Sequence, residues 1–312
     1  MKNIILATTA LVATAGVAAA DVSISGYARF GATYSDNADD WNTASRLRLQ
    51  FDVSTETDGG IVFGARQRFQ TEENLSTGGA TDPNNSNGAR FYMSTNGFTL
   101  AMGNILGVIE AAPNLYLPTA SSGMGLEGNG FYSLAANTSS NGGRFAWTAY
   151  DSAGAGAVEG VEVLYSMNGF GAHIHSTEYS YGVGANYTFS GYTVAVAYEE
   201  WDAAAPGGQV DGDSILFASI GGTIGAFDVA LAYASTEFSG VEADKWSLKG
   251  GYDFGTGLTV YGFVASEDVV DESYGIGASY DLGGGVSLEG GITQTDEALD
   301  DTIVSLGAFF SF

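Results

Sequence analysis

The 312-residue chain has no cysteine, only 4 prolines and 2 histidines, and 10 Lys+Arg against 36 Asp+Glu. Without cysteine there is no disulfide framework, no thiolate nucleophile and no zinc–thiolate site. Scarce basic residues exclude a nucleic-acid partner, whose binding needs basic surface. Charged residues make up 15% of the chain, against about 25% in ordinary soluble domains, so a water-facing surface would be short of charge. After Ala20 there is no uninterrupted apolar run of about 18 residues, which rules out transmembrane helices. Neither histidine has an obvious acid or nucleophile partner, so the constellation an enzyme requires is missing.

The first residues, "MKNIILATTALVATAGVAAA", combine Lys2, an apolar stretch and a small-residue ending at Ala18 to Ala20. This is the pattern of a cleavable secretory signal over residues 1–20, with the mature chain starting at Asp21. As a membrane anchor the segment is too short and too rich in Ala and Thr. Losing Lys2 leaves nine basic residues against 36 acidic ones, a net charge of -27.

The 46 glycines, 18 Phe and 17 Tyr sit in alternating patterns rather than low-complexity runs. Short alternating segments recur about every dozen residues, among them "YTVAVAYEE" from Tyr192, "LTVYGFVAS" from Leu258 and "VSLEGGITQ" from Val286. Tight glycine turns such as "TNGF" at Thr95, "MNGF" at Met167 and "FSGY" at Phe189 join some of them. The others are joined by longer acidic connections, such as "SDNADDWN" at Ser35, "EEWDAAAPGGQVDGD" at Glu199 and "STEFSGVEAD" at Ser235. Alternation of short and long connections is the arrangement of an antiparallel outer-membrane barrel.

Counting gives 16 strands, at roughly 22–34, 43–56, 60–72, 89–95, 98–104, 160–167, 170–177, 179–189, 191–200, 213–222, 226–236, 243–254, 258–266, 271–282, 286–295 and 301–312. Residues 104–159 are left over, far too long for an ordinary loop. The alternative is 18 strands, with "GFYSLAAN" at Gly130 and "RFAWTAYD" at Arg144 as the extra pair.

The opening "DVSISGYARFGATY", the segment "SRLRLQFDVSTETDGGIVFGARQRF", the phrase "YGIGASYDLGGG" and the closing "IVSLGAFFSF" together resemble the general porins of Gram-negative outer membranes, especially the alphaproteobacterial type. The resemblance implies a 16-stranded antiparallel transmembrane β-barrel, assembled as a homotrimer, whose third extracellular loop folds inward and narrows the lumen. Residues 104–159 take the position of that constriction loop. It also implies a water-filled channel for passive diffusion of small hydrophilic solutes and ions, with lipid and lipopolysaccharide around it. The Pro-Glu-Phe-Gly-Gly element of enterobacterial relatives is absent here.

In a barrel of this kind the apolar face of each strand meets lipid and the charged face lines a wet interior. Arg29, Arg46, Arg48, Arg66, Arg68 and Arg90 then fall inward. Facing lipid they would each cost about 2 to 4 kcal/mol at the midplane. By the resemblance, such an arginine wall stands opposite acids of the constriction loop, here Glu110 and Glu127. The arginines favour anions, while the acidic loops favour cations at the mouth.

Other features have plainer readings. His173 and His175 share a strand face without a third metal ligand at a recognisable spacing, and read as solvated lumen residues. No cofactor is required. The cluster Asp296, Glu297, Asp300 and Asp301 offers oxygen ligands for Ca2+ or a divalent bridge to lipopolysaccharide, but reads first as solvated loop charge. "GVGAN" at Gly182 and "GIGAS" at Gly275 lack the following helix of a dinucleotide loop. A substrate-specific channel of the same fold is the nearest rival, and a secreted β-rich adhesin a remoter one.

Overall fold

The computed structural model describes residues 20–74, 79–80, 86, 88–116, 159–205, 208–268, 270–295 and 301–312. Strands β1 (Asp21–Ser35), β2 (Asp40–Glu56) and β3 (Val62–Asn74) lead to a two-residue piece, β4 (Gly79–Ala80), then to β5 (Arg90–Thr95) and β6 (Phe98–Gly103). After the long connection come β7 (Gly160–Met167), β8 (Phe170–Thr177), β9 (Ser180–Phe189), β10 (Tyr192–Trp201) and β11 (Ser214–Ile224). The chain finishes with β12 (Phe227–Phe238), β13 (Val241–Asp253), β14 (Leu258–Glu267), β15 (Val270–Gly283), β16 (Val286–Thr295) and β17 (Asp301–Ser311).

Apart from β4, which only extends the edge of β3, each strand pairs antiparallel with the next, and β3 pairs directly with β5. The last strand returns to the first, in register from Tyr27↔Ser311 to Ser35↔Ile303. A closed barrel of 16 staves results, as the periodicity predicts. Pairing of the last strand with the first covers the two edges that an open sheet would expose to hydrocarbon.

Period-2 alternation gives the wall two faces. Val22, Phe30, Leu47, Leu216, Leu248 and Leu306 are exposed on the outside. Rings gather beside the short turns of one rim: Phe98 lies 4.5 Å from Tyr165, and Phe227 lies 4.6 Å from Tyr252. Such belts sit at the boundary between lipid and water.

The turn chemistry follows the sequence. Asn96–Gly97, Asn168–Gly169 and Ser190–Gly191 all take positive φ, the requirement of a two-residue hairpin. Three acidic connections are shorter than the sequence suggests. Pairing runs on to Ser35↔Asp40, Phe238↔Val241 and Glu267↔Val270. Beyond the lipid a strand needs no apolar face, so its charged ends hide from a hydrophobicity pattern. The segments proposed as two extra strands lie outside the described residues.

Candidate functional site

Asn104–Tyr116 leaves β6 and folds back inside the barrel. Val108, Ile109 and Leu115 are buried against Ala197, Trp201, Ile215, Phe217, Ala232 and Ala234 of β10, β11 and β12. These wall residues are small or apolar on the inner face, while their neighbours Val196, Leu216 and Leu231 are exposed on the outer one. Three neighbouring strands with apolar residues on both faces form a dry seat for the segment; a smaller inner apolar cluster, Tyr261, Phe263 and Ala265, lies apart from it on β14.

Glycines make room for it. A Cβ at Gly160 would stand 2.8 Å from Ile105, one at Gly182 would stand 2.5 Å from Val108, and one at Gly221 would stand 2.4 Å from Asn114. The "GVGAN" glycine thus serves a close approach of the loop. In "GIGAS", Gly277 leaves space for the Tyr261 ring.

Polar contacts fasten the segment at intervals. Glu162, on β7, accepts from the Leu106 N–H at 3.0 Å, from Arg90 at 2.6 Å, and faces His173 Nε2 at 2.8 Å. His175 Nδ1 accepts from the Val108 N–H at 3.1 Å. An accepting Nδ1 places the ring proton on Nε2, which points at Ser180 and at Glu199, 3.5 Å away. Farther along, Ser219 donates to the Pro113 carbonyl at 2.8 Å and Asn114 donates to the Thr193 carbonyl at 3.2 Å. Lys249 of β13 donates to the carbonyls of Asn114, Leu115 and Tyr116, the last two at 2.7 and 3.2 Å.

The six arginines share one face of β1, β2, β3 and β5. Arg29 stands directly opposite Arg46, and Arg66 opposite Arg90. Like charges in register are destabilising unless other groups offset them. Asp52 accepts from Arg66 at 2.8 Å, and Gln50 links that carboxylate to Arg68 through contacts of 2.7 and 2.8 Å. Arg48 donates to Gln70 at 2.8 Å, with its guanidinium 5.4 Å from the Tyr27 ring centre, and Arg46 donates to the Tyr27 hydroxyl at 3.3 Å. Arg90 is held in the buried pair with Glu162.

The arginine strands are the first four staves, whereas the seat and Lys249 occupy the ninth to twelfth. In a ring of 16 these are opposite walls.

Glu110 is half-buried on the folded segment and accepts from the Tyr116 hydroxyl. Glu127 lies outside the described residues, as do Asp296, Glu297 and Asp300. The described residues contain no group of three or more His, Asp or Glu able to hold a metal ion. His173 and His175 are buried under the folded segment and are not solvated, because it covers their side of the wall. Sequence reasoning assigned no role to Asp52, Glu162, Glu199 or Lys249. The doubly apolar runs "TVAVAY" and "ILFASI" were the available sign that something docks inside.

Residues 7–298 match the family model described as Gram-negative porin. The chain belongs to the Gram-negative porin family. The porin of Rhodobacter capsulatus is 31% identical, and that of Fuscovulum blasticum 29%, each alignment covering 94% of this chain and all of the relative. A solved variant of the Rh. blastica porin superposes with a TM-score of 0.74 at 27% identity, covering 94% of this chain and all of that one. This porin is therefore a channel of the outer membrane: water fills the barrel, and small hydrophilic solutes and ions cross it by passive diffusion.

Proposed function

We propose that the segment starting at Asn104 is this porin's constriction and that solutes pass between it and the arginine wall. The observation that carries this reading is the seat: Ile109 and Leu115 are fully buried on staves opposite those bearing the arginines. Arg29, Arg46, Arg48, Arg66 and Arg68 then bias which ions pass, while Arg90 mainly secures the root of the segment through Glu162. Glu110 and Glu127 supply acidic charge on the loop side. Residues 1–20 act as the export signal, cleaved before Asp21. The barrel assembles as a homotrimer in lipid and lipopolysaccharide.

Swelling of proteoliposomes in sugars of increasing size tests the constriction. Ile109→Asp puts an unpaired charge into the dry seat without altering any stave. The reading expects larger sugars to enter through this variant than through the wild type. An unchanged exclusion limit would contradict it.

A further inference from the structure

We propose that Lys249 is a positioning residue of the pore: its ammonium fixes where the folded segment leaves the wall, and so sets the width of the passage. The proposal rests on the constriction reading above and adds a residue to it. Lys249 is 1% exposed. A buried ammonium is costly unless its donors find acceptors. Here it meets three successive carbonyls, those of Asn114, Leu115 and Tyr116. Neutral groups hold the same stretch as well: Ser219 donates to the Pro113 carbonyl and accepts from the Asn114 amide, which also donates to the Thr193 carbonyl. Three consecutive carbonyls turned toward one cation fix the direction of the backbone as well as its position.

Lys245 supplies the comparison. It lies on the same strand and the same face, is 3% exposed, and pairs with Glu267 of the neighbouring stave at 3.2 Å. One lysine fastens wall to wall, and the other fastens wall to loop.

The test uses the full mature chain refolded into proteoliposomes and planar bilayers. Lys249→Met keeps the side-chain length without the donor. Since the chain has no cysteine, Lys249→Cys can also be treated at that site alone with 2-bromoethylamine before refolding. The thiolate displaces bromide, leaving a thioether that ends in an ammonium.

The proposal expects Lys249→Met to admit larger sugars and to show noisier open-channel current. It expects the aminoethylated Lys249→Cys protein to return to the wild-type limit, and Lys245→Met to keep that limit even if it unfolds more easily. A wild-type limit in Lys249→Met while Ile109→Asp shifts it would overturn the role of Lys249 and leave the constriction standing. A wild-type limit in both variants would overturn the constriction reading as well. A shift that aminoethylation does not reverse would mean that side-chain packing, and not the ammonium, matters at this position.

Discussion

The Arg90 guanidinium and the Glu162 carboxylate lie 2.6 Å apart, on strands separated by β6 and by the long connection. Their side chains are 10% and 0% exposed, and the second carboxylate oxygen holds the Leu106 N–H. The pair thus links the wall to the first residues of the folded segment. Replacing one member of a buried pair leaves the other charge uncompensated, which typically costs about 3 to 5 kcal/mol. Glu162→Gln is expected to lower resistance to urea by that order, measured as the loss of the folded barrel's faster gel mobility. Arg90→Gln should do the same, and the double variant should lose less than the two single losses together.

Gly182→Val tests the seat from the wall side. A Cβ there already meets Val108 at 2.5 Å and the His175 ring at 2.7 Å, and two further methyls make the overlap worse. Overpacking typically costs about 1 to 3 kcal/mol. Lifting the segment costs less than bending a stave that is hydrogen-bonded on both sides. The expected result is therefore an intact barrel with an altered single-channel conductance.

The two faces of β2 make opposite predictions for labelling. Leu47 is exposed on the outer face, and Arg48 on the inner one is tied to Gln70. In lipid, Arg48→Cys should react with a membrane-impermeant thiol reagent and Leu47→Cys should not. Leu47→Arg should destabilise the barrel in lipid by about 2 to 4 kcal/mol, in the range for a cation at the midplane.

Much of the wall was legible from its alternation. "SRLRLQFDV" places Leu47, Leu49, Phe51 and Val53 on one face and both arginines on the other, and the strand count follows from the same pattern. The strand ends at Asp40, Val241 and Val270 were not, because pairing outside the lipid continues through polar residues. The inner seat was hidden for a related reason. "SILFASI" read as one half-buried strand assigns Leu216 outward and leaves Ile215 and Phe217 as unexplained apolar residues facing water. Only the packed segment accounts for them. Lys249 carries no local signature, since its carbonyl partners lie more than 50 residues away in the chain, and the same holds for the Arg90 and Leu106 partners of Glu162.

The most direct measurement of the central claim, that the passage runs along the arginine wall, is the reversal potential under a salt gradient. It compares the wild type with the double variant Arg46→Gln, Arg66→Gln in planar bilayers. Removing two cations from a narrow passage should shift permeability toward cations, with large stepwise conductance preserved. An unchanged reversal potential at unchanged conductance would place the arginines away from the narrow passage and contradict the account.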